Sequence, residues 1–233
     1  MTLPVAILAG GLATRLRPLT LNTPKSLVPI NGVPFIEWQL RYLAKAGIES
    51  VVLCLGHKTL EIKNFVGDGH KFGLKIDYSI EKTPLGTGGA VKNAKHLLGD
   101  VFGLLYGDSY LPIDYLSVFD RSLNSEKSVL MTIYKNRNDL DVSNVILRPN
   151  GDVHYSKNHP TDQMSYIDYG FSVLKKEALT TIPIGIASDL SDSLEILSKN
   201  GKVEGFEVRE RFYEVGSFSG IVDLEKYLRS HRE

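Results

Sequence analysis

Residues 5–9 are all apolar, and the run stops at Gly10-Gly11. An unbroken apolar run ended by glycine reads as a strand buried on both faces. A loop rich in Thr, Pro, Arg and Lys follows, up to about Pro34. Pro34 suits a first helical turn. After it Ile36, Leu40, Leu43 and Ala44 recur at helical spacing until Gly47. Residues 50–55 form a second apolar run, 58–65 read as a helix, and 74–79 alternate as a third strand. A helix is expected over 89–98, and a fourth apolar strand over 101–106 runs into Gly107-Asp108.

Strands alternating with helices predict an α/β fold with a doubly wound, mostly parallel sheet. Such sheets bind ligands outside the carboxyl ends of their strands. That rule singles out residues 10–25 and 107–110. Beyond Tyr115 the pattern changes. Strand-like stretches fall at 128–134, 143–147, 152–155 and 167–174, with a turn at Asn150-Gly151, and helical stretches at 190–197 and 221–228. No linker, repeat or low-complexity tract breaks the chain. The expectation is a single domain over residues 1–233 with an inserted second lobe.

Composition narrows the function classes. The 233 residues carry 27 Lys+Arg against 27 Asp+Glu, so the net charge is zero. Neutrality argues against a nucleic-acid binder acting through bulk charge. The one cysteine, Cys54, excludes an internal disulfide and every multi-cysteine metal site. No stretch is long and apolar enough to cross a bilayer, and the first apolar run lacks the basic flank of a signal peptide. The expectation is a cytoplasmic protein with no membrane partner. The six histidines are scattered without metal-ligand spacing.

Three segments carry candidate chemistry. From Leu8 the chain reads Leu-Ala-Gly10-Gly11, then Arg15, then Thr23-Pro24-Lys25. Glycines after a strand let backbone N–H groups converge on an anion. Arg15 adds a two-pronged donor and Lys25 a compact charge. The stretch is neither a dinucleotide fingerprint nor a Walker loop, and composition alone would also fit a solvated basic loop. The second segment, Glu81 to Ala90, contains Pro84, Gly86, Thr87, Gly88 and Gly89 before a helix, a tight turn with exposed N–H groups. The third is Gly107-Asp108, a carboxylate directly after a buried strand, which suits Mg²⁺ or a helix cap.

Gly10-Gly11-x-x-x-Arg15-Leu16-x-Pro18-Leu19-Thr20, with Thr23-Pro24-Lys25-x-Leu27-x-Pro29, closely resembles the signature of sugar-1-phosphate nucleotidyltransferases. With the later matches, the resemblance covers nearly the whole chain. It implies a nucleotide-binding sheet of the GT-A-like kind with a sugar-binding lobe. It implies that Leu8, Gly10, Gly11, Arg15, Lys25, Glu81, Gly86 and Thr87 bind the nucleotide. Gly88 would lie near the sugar, and Lys157 would meet its phosphate. Asn144, Asp168, Tyr169 and Gly170 are further sugar candidates, because sugars need fixed hydrogen-bonding groups. Asp108 matches the family's metal-binding Gly-Asp pair. Glu214 stands where relatives carry Asp, so its carboxylate reaches one methylene further. Many relatives hold the base with Gln at the Glu81 position. A carboxylate accepts and does not donate, which favours guanine over uracil or thymine.

The implied reaction joins a nucleoside triphosphate to a sugar 1-phosphate, giving a nucleoside-diphosphate-sugar and pyrophosphate. Arg15, Lys25 and Asp108 would act in catalysis, with Mg²⁺ on Asp108 and Glu214. The pattern from Glu81 to Ala90 looks most like bacterial heptose-1-phosphate guanylyltransferases, with GTP as donor. Residues 67–74 also resemble N-acetylmuramate-1-phosphate uridylyltransferases, and other hexose-1-phosphate enzymes stay open. So does a non-catalytic regulatory subunit, which the retained Arg15, Lys25, Asp108 and Lys157 disfavour. A dehydrogenase is disfavoured by the missing Gly-x-Gly-x-x-Gly. The short chain leaves no room for the C-terminal β-helix of larger relatives, and a homo-oligomer stays open.

Overall fold

The computed structural model describes residues 3–11, 14–136 and 140–231. The chain begins with β1 (Val5–Leu8), a small hairpin of β2 (Pro29–Ile30) and β3 (Val33–Pro34), and α1 (Phe35–Lys45). It continues through β4 (Ser50–Leu55), α2 (Thr59–Val66), β5 (Lys75–Ile80), α3 (Gly86–Ala94), β6 (Val101–Tyr106) and β7 (Ser109–Tyr110). The second half runs α4 (Tyr115–Leu123), β8 (Val129–Lys135), β9 (Val145–Leu147), β10 (Val153–Tyr155) and β11 (Tyr166–Lys175). It ends with α5 (Leu190–Lys199), β12 (Val203–Val208), β13 (Tyr213–Glu214) and α6 (Phe218–Ser230).

One nine-stranded sheet carries the fold, in the order β10-β9-β11-β6-β1-β4-β5, with β8 also paired to β11 and β12 to β8. The stretch β6-β1-β4-β5 is parallel. β1, β4 and β6 are buried on both faces, which explains their apolar runs, whereas the edge strand β5 is partly exposed and alternates. β11 then joins β6 and β8 antiparallel, so the second lobe extends the same sheet. Residues of α1, α2 and α4, such as Leu40, Ile62 and Val118, pack on one face. Val91, Ala94, Leu194 and Leu197 from α3 and α5 fill the other. A third cluster sets Ile30 and Phe35 against Val215, Leu224 and Leu228 of α6 and its approach. It ties the segment after Lys25 to the segment after Glu214.

α3, the start of α1 and β12 differ from the sequence expectation, and α4 and the two-residue strands have no counterpart in it. α3 starts at Gly86 and ends at Ala94, earlier at both ends than 89–98. Its first turn holds three glycines, poor helix formers, yet tertiary contacts fix it. Gly86 has φ of +70°, and a Cβ there would lie 2.5 Å from the Ser188 carbonyl. Pro34 precedes the first helical residue. β12 pairs parallel with β8, although Glu204 and Gly205 lie inside it and both residue types are depleted in strands.

Candidate active site

The carboxyl ends of β1, β4 and β6 open onto a cleft of about 650 Å³, within the usual range for small-molecule sites. Asp108 sits on its floor because β6 stops at Tyr106 and turns. The Gly107 N–H donates to the Leu8 carbonyl at 3.1 Å. A Cβ on Gly107 would lie 2.3 Å from that carbonyl oxygen, so no larger residue fits without moving the turn. Gly107→Ala should therefore cost about 1–3 kcal/mol of stability and lower turnover with it. Denaturant melts and initial rates check this, and unchanged values for both would contradict it.

Four charged groups meet on this floor. The Lys25 ammonium donates to Asp108 Oδ2 at 2.7 Å, with the two side chains 16% and 32% exposed. β13 pairs antiparallel with β7, setting Glu214 opposite Ser109, and the Val215 N–H donates to the Asp108 carbonyl at 2.9 Å. Arg15 stands in the short 3₁₀ turn Thr14–Leu16. A Cβ on Gly216 would lie 3.5 Å from an Arg15 Nη, 3.9 Å from Glu214 Oε2 and 4.0 Å from Lys25 Nζ. Gly216 thus lies against all three groups. Loss of water around Glu214, with the charges of Asp108 and Asp141, pushes its carboxyl up to about 7, against the pull of Lys25 and Arg15. The β7–β13 pairing and the Val215 N–H bond to the Asp108 carbonyl set these two carboxylates in neighbouring turns, an arrangement that suits a shared cation.

The donor set fits Mg²⁺. It offers hard oxygens from two carboxylates, leaving the remaining positions to water and phosphate oxygens. Among the described residues no group of three or more His, Cys, Asp or Glu forms a protein-only cage.

The nucleotide candidates Leu8, Gly10, Gly11, Arg15, Lys25, Glu81, Gly86 and Thr87 all line the cleft. Glu81 Oε2 accepts the Leu85 N–H at 2.7 Å and shapes the 81–86 turn. Its other oxygen lies by Gly10, 3.2 Å from where a Cβ would stand. Thr87 donates to Asp189 Oδ1 at 3.0 Å and accepts the Leu190 N–H at 2.8 Å. Cys54 also lines the cleft, but burial, with Glu81 adding to it, pushes its thiol up to about 12. It stays protonated and is no nucleophile.

The sugar candidates are divided by the fold. The exposed Lys157 reaches Asp189 Oδ2 at 3.3 Å, and Asp189 caps α5. The Asp189 carboxyl is held low. Burial opposes its charge, but the Ser191 N–H, Lys157 and Thr87 outweigh it. Burial pushes the Asp168 carboxyl up to about 6, against the Gly170 N–H and Lys157. Asn144 Oδ1 accepts the Asp168 N–H at 2.9 Å, so it serves the strand crossing. Gly88 is buried, and its N–H goes to the Ser188 carbonyl at 2.9 Å. A Cβ on Gly170 would face Ser109 Oγ at 3.2 Å and the Tyr106 ring. The Tyr169 ring is turned away, buried against Phe212 and Tyr134, so its side chain belongs to the core. Sequence reasoning passed over Asp189, Tyr106 and Gly216. Asp189 has a sequence signal, but it is that of a helix cap.

Gly10-Gly11 at the end of the first strand, with two cations and two carboxylates, stands at the carboxyl ends of a parallel α/β sheet, where such folds place ligands. The chain belongs to the nucleotidyl transferase family, whose model matches residues 5–229. It is 42% identical over 135 residues to D-glycero-alpha-D-manno-heptose 1-phosphate guanylyltransferase of Campylobacter jejuni, covering 58% of each chain. It is 38% identical over 130 residues to mannose-1-phosphate guanylyltransferase of Mycobacterium tuberculosis, covering 55% of this chain and 36% of that one. The match thus spans 36% to 58% of these curated relatives. Among solved structures, HddC of Yersinia pseudotuberculosis superimposes with a TM-score of 0.82 at 27% identity, covering 97% of this chain and 100% of that one. The same protein complexed with GMP-PN gives 0.82 at 26% identity. Among the described residues no helix is long and apolar enough to cross a membrane.

Proposed function

We propose that this protein transfers a guanylyl group from GTP to a sugar 1-phosphate of the heptose or mannose type, releasing pyrophosphate. The observation that carries the reading is the convergence of Arg15, Lys25, Asp108 and Glu214 at the carboxyl ends of β1 and β6. The guanine and sugar assignments draw on the relatives' names. The free oxygen of Glu81 adds to the guanine assignment, as an acceptor for N–H donors on the base edge.

A phosphate oxygen of the sugar phosphate attacks the α-phosphorus. A P–O bond forms there, and the bond from the α-phosphorus to the bridging oxygen of pyrophosphate breaks. The attacking oxygen is already anionic, so no protein base is needed. The obstacle is the meeting of two polyanions, and catalysis is positioning with charge neutralisation. Arg15 and the Gly10-Gly11 backbone hold the departing pyrophosphate. Lys25 stabilises charge at the α-phosphorus, and Lys157 leaves Asp189 to take the sugar's phosphate. Asp108 and Glu214 would hold Mg²⁺, which when bound neutralises phosphate charge.

The test is pyrophosphate release with Mg²⁺ over a grid of GTP, UTP, CTP, ATP and dTTP against heptose, mannose, glucose and N-acetylmuramate 1-phosphates. Release confined to GTP with a heptose or mannose phosphate is expected. Release with UTP and N-acetylmuramate 1-phosphate would overturn the base and sugar assignments. Nucleotide binding without release from any pair would favour a regulatory subunit.

A further inference from the structure

Behind the turn that carries Asp108 lies a buried amide. Gln39, on α1, is 2% exposed. Its Nε2 donates to the Ser109 carbonyl at 2.8 Å and to the Tyr106 carbonyl at 3.4 Å. Those two carbonyls flank Gly107-Asp108. A buried amide costs free energy unless its polar atoms are matched. Here the donors are used on this turn, while Oε1 has no hydrogen-bond partner among the described residues. An apolar residue of the same length would fill the space without an orphaned oxygen, so what Gln39 adds over it lies in its donors.

The other restraints on the turn come from different sides. Leu8 accepts the Gly107 N–H, and the Val215 N–H reaches the Asp108 carbonyl. Gln39 supplies the third side. The same helix starts with the Phe35 N–H on the Val28 carbonyl, just after the Lys25 turn. α1 therefore sets both ends of the Lys25–Asp108 pair. We infer that Gln39 is a positioning residue whose carboxamide fixes the 106–109 turn, so that Asp108 faces its cation and Lys25. The inference rests on the function proposed above.

The test compares wild type, Gln39→Met and Trp38→Phe in the full chain. Trp38 lies on the same helix and donates to the Ile30 carbonyl, not to the carbonyls of the 106–109 turn, so its loss controls for damage to α1. Mn²⁺ is the probe, its binding followed by electron paramagnetic resonance with a non-hydrolysable GTP analogue present. Gln39→Met should weaken Mn²⁺ binding about 10–100-fold and lower kcat similarly, with KM for the sugar phosphate little changed. Trp38→Phe should lose comparable thermal stability and keep its Mn²⁺ affinity. Unchanged Mn²⁺ affinity in Gln39→Met would overturn the inference. Gln39→Leu, shorter and easier to accommodate, gives the same comparison where the Met variant does not fold. A wild type that binds Mn²⁺ with nucleotide but releases no pyrophosphate would count against the proposed reaction, and the Mn²⁺ comparison would still decide Gln39.

Discussion

Replacing Lys25 with alanine should lower turnover about 10²–10³-fold, the usual loss on removing one preorganised electrostatic donor. The Lys25 ammonium lies 2.7 Å from Asp108 in a pair that is largely shielded from water. It is also one of two cations, with Arg15, that hold down the Glu214 carboxyl. Its loss leaves two carboxylates with one cation where a polyanionic substrate must bind. The penalty falls on the charge developed at the α-phosphorus, so kcat should drop more than nucleotide affinity. The fold should survive, because Lys25 sits in a short turn secured by backbone bonds from Leu27 to Pro24 and from Val28 to Lys25. Steady-state rates with a matched melting curve check this. Turnover within about threefold of wild type would end the catalytic role assigned to Lys25, since that is far below the usual loss.

Asp108→Asn should be the more damaging change, about a thousandfold or more in kcat, because several kcal/mol of charge stabilisation are at stake. The amide keeps the side chain's shape and the turn's backbone bonds to Leu8 and Val215. It removes the charge that Lys25 and a cation share. Glu214 loses a repelling neighbour, so its raised carboxyl should fall toward the ordinary range. Extra Mg²⁺ should not restore the rate. A magnesium titration of the variant decides it. A loss below about tenfold, or full rescue by metal, would contradict the assignment, given the several kcal/mol expected of a metal ligand.

The parallel half of the fold was legible because β1, β4 and β6 are buried on both faces, so that 5–9, 50–55 and 101–106 stand out as apolar stretches, while the edge strand β5 shows as alternation. The anion loop and Gly107-Asp108 were legible for a related reason. They fall directly at the ends of those strands, where such sheets place ligands. Other parts depend on contacts distant in sequence. β7 and β13 are two-residue strands, too short for any periodic signal, yet their pairing brings Glu214 beside Asp108. β12 hides because Glu204 is buried through bonds to Arg121 and Ser125. Tyr169 was a sugar candidate by its neighbours Asp168 and Gly170, but β11 turns its ring into the core. Asp189 looks like any helix cap until Lys157 and Thr87 are seen to share its carboxylate.

In the proposed reaction this cleft moves the α-phosphorus of a nucleoside triphosphate onto a sugar phosphate. The most direct measurement follows GTP labelled at the α-phosphorus, with Mg²⁺ and heptose or mannose 1-phosphate. Label should appear in a nucleoside-diphosphate-sugar, with unlabelled pyrophosphate in equal amount, and neither product should form when the sugar phosphate is left out. Label released as GMP, or pyrophosphate formed without any sugar phosphate, would contradict it.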